Sequence, residues 1–546
     1  MGVDLLRHFP EGFAPRPAQA RLLEELGAAL ERAEQDPKAP RVFFVEAPPG
    51  VGKSHVAMTL ARWSGRAYLL TSQKLLQDQY EREFGGHVQL VKGRDSYACE
   101  RYPDRRVPTT FGMCRRPGGP PCQCPYTRAK AAALAGRIFC TNTWYFLTLR
   151  QWRREQLERR RLLIVDEAHN LEAQLASVFT LAVPREQMVR WFGTPVPRYD
   201  TAEEYRALFA EQIAGLEAEI ALVESDLEAV RVPTLPLEEF LRLPPSPHEA
   251  ALLSARETLE TALARLRFFV EAEEQEWVVR STATPDGPVE LVPLSVAPMA
   301  AELLFDAADL AVLTSAFLGH RAALAESLGL DVATTQTVRA GSPFPLEQRP
   351  IVYRPRGALS RATLAELEPA VFAEVAGILR AHPRDKGVIH VPSYAAAHRL
   401  VADVARRAPI EHRRLLPIAT PEAKPAALGH HRASRLATVL VSPSLREGVD
   451  LPDDLLRFQI VTKMPFPDLG DPWTAARARR DPRWYALETA KSLVQTYGRS
   501  CRHAGDRGVT YVLDGQFARF LLRYRPLLPA WFLDAAAPAL RAAKRV

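Results

Sequence analysis

The sequence predicts an α/β protein with two doubly wound parallel sheets and two insertions in the first of them. Three observations indicate this fold. An apolar strand, a Gly/Pro loop and a helix follow one another within residues 41–63. A second apolar strand ends in two acidic residues at 166–167. From about residue 340, four apolar runs of strand length alternate with helical stretches, which is typical of a second sheet of the same kind.

Composition describes a globular chain of several domains. The 546 residues are 47% hydrophobic and 25% charged, and the formal net charge is +7. Arg supplies most of the positive charge, and its guanidinium group binds phosphate oxygens in bidentate fashion, although genome composition explains the same bias. Neither a secretion signal nor an 18-residue apolar run occurs, so we expect a cytoplasmic protein.

The segment EAPPGVGKS has the pattern of a phosphate-binding loop, with Ala47 where the first glycine usually stands. Small residues such as Gly50 and Gly52 let backbone N–H groups wrap phosphates at a helix N-terminus. Lys53 then reaches the β- and γ-phosphates, and the Ser54 hydroxyl ligates Mg²⁺. Because the loop lies between a strand and a helix, the sequence predicts a nucleoside triphosphate site.

The segment RRLLIVDEAHNLE supplies the partner that such a loop needs. Its apolar strand, 162–165, delivers Asp166 and Glu167 at the edge where parallel α/β sheets bind ligands. We expect Asp166 to hold Mg²⁺, usually through water, and Glu167 to polarise the water that attacks the γ-phosphate. The two motifs together predict an NTPase.

The second α/β block supplies positive charge for the same cleft. Gln495, Arg499 and Arg502 have the spacing i, i+4 and i+7, so on a helix they share one face. Two guanidinium groups on that face can act as arginine fingers at the γ-phosphate. The sequence therefore predicts a nucleotide site that closes from both sides.

Two stretches interrupt the first block. Residues from about 180 to 285 are rich in Glu, Leu, Ala and Arg and predict a helical hairpin around a Pro-rich break. The other stretch is short, rich in Pro and Gly, and holds most of the cysteines of the chain. In a reducing compartment, such a group favours metal ligation over disulfides. Its members are Cys99, Cys114, Cys122 and Cys124.

Four thiolates hold either a [4Fe–4S] cluster or a tetrahedral zinc ion, and physical chemistry alone does not choose between them. Unligated thiols are the third interpretation, although exposed loop thiols would be open to oxidation. Cys140 is a rival ligand, but it lies in an apolar strand, where a small buried thiol is expected.

The order of the motifs resembles the superfamily 2 DNA helicases of the XPD/DinG group. The segments FAPRPAQ, EAPPGVGKS, LLTSQKLLQDQ, KGRDSYAC, LLIVDEAHNLE, VLTSAFL, LREGVDLPDD, KMPFP and QTYGRSCR follow one another as in that family. The match covers nearly the whole chain and is interrupted mainly at the helical hairpin. The resemblance implies two RecA-like P-loop domains, with a small Fe–S insertion and a helical Arch-like insertion in the first. It also favours a [4Fe–4S] cluster over zinc.

The expected organisation divides the first RecA-like domain into three parts. The expected ranges are 1–90, with the phosphate loop; 91–130, the Fe–S insertion; 131–180, with the DEAH motif; 181–288, the Arch-like insertion; 289–335, the last part of the first domain; and 336–546, the second RecA-like domain.

The resemblance also implies roles for single residues. Catalysis is assigned to Lys53, Glu167, Arg499 and Arg502. Nucleotide and Mg²⁺ binding is assigned to Gln19, Ala47, Gly50, Gly52, Lys53, Ser54, Asp166, Gln495, Gly448 and Asp450. Coupling of the nucleotide state to DNA grip is assigned to His169 and to Glu447, Gly448 and Asp450. The implied cluster ligands are Cys99, Cys114, Cys122 and Cys124.

The implied activity is ATP- and Mg²⁺-dependent movement from 5′ to 3′ on single-stranded DNA, with unwinding of tailed or forked duplex in repair or replication. We expect a monomer without membrane association, and no exonuclease segment before FAPRPAQ. The cluster would brace the small insertion as a wedge where the duplex parts. Candidate phosphate contacts are Arg94, Arg101, Arg105, Arg106, Arg115 and Arg116, and candidate base-stacking rings are Tyr97, Tyr102 and Phe111. We expect two or three of these to be real contacts and many of the charges to be solvated.

Three departures from the family pattern qualify these expectations. The usual TSAT reads TSAF, so Phe317 replaces a polar link between ATP and DNA, and a DNA-dependent ATPase or remodeller that does not separate strands is the alternative function. TNTW, 141–144, stands where relatives usually have an Asn-His pair, and Ala47 replaces a glycine. A binding module with an inactive ATP site is a third class, against which the complete set of catalytic residues argues.

Overall fold

The computed structural model describes residues 3–102, 107–121, 123–192, 198–230, 235–281, 287–445, 451–499, 501, 503 and 505–543. Its strands, in chain order, are β1 Val42–Glu46, β2 Ala67–Thr71, β3 Gln89–Leu90, β4 Ile138–Asn142, β5 Arg160–Asp166, β6 Leu181–Val183, β7 Trp277–Ser281, β8 Val289–Pro293, β9 Ala308–Ser315, β10 Thr335–Arg339, β11 Ile351–Tyr353, β12 Gly387–His390, β13 Leu415–Pro417, β14 Val439–Ser442, β15 Phe458–Val461 and β16 Val509–Val512.

The α-helices of the same residues complete the inventory, and none of them is long and apolar enough to cross a membrane. They are α1 Pro17–Gln35, α2 Lys53–Ser64, α3 Lys74–Phe84, α4 Pro125–Ala135, α5 Thr143–Trp152, α6 Leu171–Phe179, α7 Arg185–Phe192, α8 Ala202–Ala210, α9 Ile213–Ala229, α10 Leu237–Arg242, α11 Pro247–Glu271, α12 Ala297–Leu303, α13 Arg321–Ser327, α14 Leu364–Ala381, α15 Tyr394–Arg407, α16 Pro409–His412, α17 Lys424–Ala433, α18 Pro472–Arg480, α19 Pro482–Tyr497, α20 Gln516–Arg523 and α21 Ala530–Ala543.

The first sheet has the strand order β10-β1-β9-β5-β2-β4-β3, and its strand pairs are parallel. Its central strands β1, β9 and β5 are buried almost throughout, which is why the sequence shows them as continuous apolar runs rather than an alternation. Strand β9 lies between β1 and β5. The carboxyl ends of the three strands therefore bring the phosphate loop, Ser315 and Asp166 to one edge.

The second sheet has the order β11-β16-β15-β12-β14-β13 and is also parallel. The four apolar runs of the second block correspond to β12, β14, β15 and β16, so the predicted α/β fold with two parallel sheets is confirmed. The two edge strands were not anticipated, because each has three residues and β13 ends in a proline.

The stretch between β5 and β9 is helical over most of its length but also contains a small sheet. Strands β6, β8 and β7 form this antiparallel sheet, which contacts helices α8 and α11. Trp277 on β7 packs its ring at 4.9 Å from that of Phe269 on α11, which joins the sheet to the helices. The helical composition of the stretch conceals these short strands from sequence analysis.

The cysteine segment shares a core with the helical stretch. Cys99, Tyr102 and Met113 form one apolar cluster with Phe240 and Leu241 of α10. A segment this short buries little apolar surface by itself, so the side chains of α10 complete its apolar core.

Arg116 and Tyr102, two of the candidate DNA contacts, have structural roles instead. The Arg116 side chain is buried and pairs with Glu249 of α11, both side chains being 1% exposed, and its guanidinium also donates to the Tyr102 hydroxyl at 3.1 Å. Arg116 and Tyr102 are therefore structural groups rather than DNA contacts, because burial and pairing leave neither free for phosphates or bases.

Candidate nucleotide site and cysteine cavity

The phosphate loop has the backbone that its glycines predict. Helix α2 begins at Lys53, and Gly50 and Gly52 have φ of 82° and 89°, a region that favours glycine. The Gln19 side chain closes against the loop, donating from Nε2 to the Gly52 carbonyl at 3.3 Å and accepting from the Arg16 N–H at 2.7 Å. The structure therefore brings Gln19, predicted near the nucleotide, onto the loop that would hold it.

Lys53 and Glu167 face each other across the site. The Lys53 Nζ lies 3.4 Å from Glu167 Oε1 and 3.5 Å from the Ala47 carbonyl oxygen. Burial alone would raise the pKa of Glu167, but the charges of Lys53 and His169 outweigh it and hold that pKa below its usual range. Glu167 is therefore an ionised carboxylate at neutral pH.

A chain of hydrogen bonds links Glu167 to the second sheet. The Ser315 hydroxyl at the end of β9 donates to Glu167 Oε2 at 3.2 Å and accepts from Gln495 Nε2 of α19 at 3.3 Å. His169 joins the chain, with Nδ1 at 3.0 Å from Ser315 Oγ and 3.3 Å from Glu167 Oε2. Sequence analysis assigned Gln495, Glu167 and His169 but missed Ser315, which was noted only as part of TSAF.

Asp166 is oriented by a tyrosine that sequence analysis also missed. The hydroxyl of Tyr80 on α3 donates to Asp166 Oδ2 at 2.9 Å, and the Glu167 N–H donates to Oδ1 at 3.0 Å. Burial and then the charge of Glu167 raise the pKa of Asp166. The sequence feature that could have pointed to Tyr80 is its place directly after the family segment LLTSQKLLQDQ.

A cleft of about 630 Å³ runs along these groups and is lined by residues of both domains. Lys53 and Glu167 line it from the first domain, and Gln495 and Arg499 line it from the second. Arg432, at the end of α17, is a further cation on its wall that the sequence did not single out. The cleft thus combines cations from both domains around one carboxylate.

The expected helical face of Gln495, Arg499 and Arg502 is wrong in part. Helix α19 ends at Tyr497, so Arg499 lies beyond it. At Gly498, directly after the helix, a Cβ atom would come within 2.8 Å of Pro49 Cγ in the phosphate loop. Glycine therefore allows the helix end to approach the loop closely.

Several expected site residues lie outside the described part of the chain. They are Arg502, Glu447, Gly448, Asp450 and Cys122, together with Arg105 and Arg106 of the expected phosphate contacts.

Three of the four expected cluster ligands line one cavity. Cys99, Cys114 and Cys124 border a space of about 340 Å³, and Cys99 and Cys124 are buried rather than exposed as loop thiols were expected to be. Among the described residues, which exclude the fourth ligand, no group of three His, Cys, Asp or Glu is arranged to hold a single metal ion. Three thiols around one cavity fit the donor set of an iron–sulfur cluster.

Cys140 is separate from this cavity. It lies in β4 and is paired in register with Leu69 and Leu90 on the neighbouring strands. Burial raises the pKa of its thiol, which keeps it protonated. Its place in the sheet matches the buried thiol that sequence analysis expected.

Comparisons with known proteins agree with this geometry. Residues 376–534 match the family model of the helicase C-terminal domain. The ATP-dependent helicase DinG of Mycobacterium tuberculosis is 36% identical over 112 residues, which are 19% of this chain and 17% of that protein. The aligned segment thus spans less than a fifth of the curated relative's length.

Solved structures resemble the chain over most of its length. An XPD helicase superposes with a TM-score of 0.61 at 13% identity, covering 93% of this chain and 98% of the other. Xpd4 of S. tokodaii gives a TM-score of 0.53 at 16% identity, covering 94% and 98%. Fold and cleft together define the class, a protein with two parallel α/β sheets and a phosphate-binding loop at the cleft. Within that class, the resemblance to the XPD/DinG helicases is confirmed.

Proposed function

We propose that the chain is an ATP-dependent DNA helicase that moves 5′ to 3′ on single-stranded DNA and acts in repair or replication. The observation that carries the proposal is the hydrogen-bond chain from Gln495 through Ser315 to Glu167. It joins the expected general base to the second domain, so the relative position of the domains governs hydrolysis. The domain ranges expected from the sequence are part of this proposal.

The arrangement supports ATP hydrolysis by assigned groups. Lys53 would bind the β- and γ-phosphates, and Ser54 and Asp166 would hold Mg²⁺, which would neutralise phosphate charge. Glu167, kept ionised by Lys53, orients and polarises the attacking water. Arg499, with Arg502, neutralises charge that develops on the transferred phosphoryl group. Binding of ATP tightens the contacts of the two domains around the cleft and its release relaxes them, which moves the grip on DNA.

A cationic surface beside the cysteine segment supports single-strand binding. The Arg94 guanidinium lies 4.4 Å from the ring centroid of Tyr126. Burial, and then the charge of Arg94, lower the pKa values of Arg115 and Lys130. Like charges held this close repel one another, and a phosphate backbone would relieve that repulsion. Binding should therefore weaken steeply with salt and show little sequence preference.

We propose a [4Fe–4S] cluster on Cys99, Cys114, Cys122 and Cys124, with zinc as the alternative. The cluster would brace the segment and supply no step of hydrolysis. Iron, zinc and acid-labile sulfide should be measured in anaerobically purified protein. Iron with sulfide, lost in Cys114→Ser and kept in Cys140→Ser, is the expected result. Zinc without sulfide, or equal loss in both variants, would contradict it.

Strand displacement tests the helicase activity itself. We expect release of the displaced strand from a duplex with a 5′ single-stranded tail, dependence on ATP and Mg²⁺, and no release by Lys53→Ala. Equal release from a 3′-tailed duplex would overturn the polarity. ATP hydrolysis with DNA but no strand release would favour the second candidate, a translocating ATPase or remodeller, for which Phe317 in TSAF is the motivating feature.

A further inference from the structure

The turn that follows β9 joins the two domains by a contact that the motifs do not describe. It consists of residues 316–319 and comes directly after Ser315, which bonds both Glu167 and Gln495. Its conformation therefore affects the hydrogen-bond chain on which the proposed ATPase depends.

Glu46 fixes the base of this turn. Its carboxylate, at the end of β1, is buried and accepts backbone N–H bonds from Leu318 at 3.0 Å and Gly319 at 3.1 Å. Arg339 neutralises the same carboxylate at 2.7 Å. Two charge-assisted bonds to consecutive N–H groups hold the turn against the strand that leads into the phosphate loop.

Adjacent side chains of the turn enter different cores. Leu318 belongs to the apolar core of the first sheet. Phe317 is 2% exposed and belongs to the apolar cluster of the second domain. Every other member of that cluster among the described residues lies between 351 and 540, including Ala490, Leu493 and Val494 of α19. The ring of Phe317 is therefore an apolar anchor from the first domain in the second.

We propose that Phe317 is a positioning residue that holds the two domains together before ATP binds. The inference rests on the proposed function and deepens it. Helix α19 contributes Ala490, Leu493 and Val494 to the same cluster, all within five residues of Gln495, so the anchored ring fixes where Gln495 meets Ser315. A polar residue in this position would leave an apolar pocket open in the second domain. The free energy of burying the ring thus favours the joined arrangement.

The consequence for kinetics is specific. ATP binds the arrangement in which the two domains are joined, and Phe317 stabilises that arrangement before ATP arrives. Loss of the ring lowers the fraction of protein with joined domains and raises the apparent dissociation constant for ATP by the same factor. Saturating ATP rejoins the domains through contacts to both. We therefore expect Phe317→Thr to raise KM for ATP about tenfold while kcat stays within about twofold.

The experiment measures closure and kinetics separately. Small-angle scattering of nucleotide-free protein should show a larger radius of gyration for Phe317→Thr, and a nonhydrolysable ATP analogue with Mg²⁺ should restore the wild-type value. Hydrogen exchange of the α19 peptide that contains Gln495 should rise in parallel. Phe317→Leu, which keeps an apolar side chain, should behave as wild type in each measurement. If Phe317→Thr does not fold, Phe317→Val should show smaller shifts in the same direction.

Two results would overturn the proposal. One is a Phe317→Thr variant as compact as wild type with unchanged exchange at α19. The other is a fall in kcat without a change in KM, which would assign the ring a role in chemistry rather than in positioning. Small-angle scattering and hydrogen exchange need no ATP hydrolysis. A wild-type protein without ATPase activity would therefore contradict the proposed function, while these two measurements would still test the role of Phe317.

Discussion

Glu167 has a left-handed backbone, with φ of 54° and ψ of 46°, which is uncommon for a residue other than glycine. That conformation turns the chain sharply after β5, so Asp166 and Glu167 serve different partners although they are adjacent. Asp166 accepts a hydrogen bond from the Tyr80 hydroxyl, whereas Glu167 pairs with Lys53 and accepts a hydrogen bond from Ser315. Strain at a single residue is typical of functional sites, where surrounding contacts hold it in place.

Replacing Glu167 by glutamine should abolish turnover without abolishing binding. The amide keeps the size of the side chain but cannot act as a base, so we expect kcat to fall by about 10²–10⁴-fold. The affinity for ATP should stay near the wild-type value, measured with a fluorescent analogue. Lys53→Ala, which removes the phosphate contact, is the control expected to lose binding. A Glu167→Gln variant with more than a tenth of the wild-type kcat would contradict the assignment.

The Tyr80 hydroxyl should matter for Mg²⁺. In Tyr80→Phe the ring stays buried, but Asp166 loses the hydroxyl that orients it. Groups that orient metal ligands typically contribute 10–100-fold in metal affinity or activity, so we expect about tenfold more Mg²⁺ for half-maximal ATPase activity. Titration of ATPase rate against Mg²⁺ at saturating ATP measures this. An unchanged Mg²⁺ dependence would show that Tyr80 is a packing residue only.

The sequence predicted the site residues that belong to short motifs but not those that reach it from elsewhere. Lys53 and Glu167 each follow a recognisable strand, so their shared edge could be inferred. Tyr80 and Glu46 act through contacts that depend on sheet order and helix placement, which a local pattern does not encode. Arg499 was placed on a helix because its spacing fits one, whereas α19 ends at Tyr497.

At the scale of elements, the cysteine segment and the helical stretch form one unit joined by a buried charge pair. Arg116 bonds Glu249 on α11 and the carbonyls of Leu241 at 3.2 Å and Leu243 at 2.8 Å near α10. These bonds compensate the desolvation of the guanidinium. Sequence analysis treated the two insertions as separate and counted Arg116 among the candidate phosphate contacts, because nothing local marks a partner more than a hundred residues away.

Breaking this pair should be costly. Arg116→Met leaves the Glu249 carboxylate buried without its cation, and we expect about 3–5 kcal/mol of destabilisation. Denaturant unfolding followed by tryptophan fluorescence measures it. Arg128→Met is the matched control, because Arg128 pairs with Glu100 in the same segment but at the surface, and little change is expected.

The double variant Arg116→Met with Glu249→Leu separates two explanations. Removing both charges removes the uncompensated carboxylate, so the double variant should be more stable than Arg116→Met alone. If both variants lose the same stability, the pair contributes through packing and not through charge.

At the scale of the whole molecule, the fold was the most predictable feature. Buried parallel strands produce long apolar runs, and helices between them impose parallel pairing, so both sheets could be inferred from pattern alone. The relative placement of the two domains could not be inferred from the sequence pattern, because it depends on a few side chains. Phe317 in the second core and Gly498 against Pro49 fix that placement, and neither position has a local signal for it.

The central claim is that one ATP site is completed by groups from both domains. The most direct test is steady-state ATP turnover with single-stranded DNA, for wild type and Arg499→Ala. We predict DNA-stimulated hydrolysis by wild type and a fall of about 10³-fold in kcat for Arg499→Ala, with ATP affinity nearly unchanged, because its guanidinium acts on charge that develops in the transition state. A variant that hydrolyses ATP as fast as wild type would contradict the claim and confine the chemistry to the first domain.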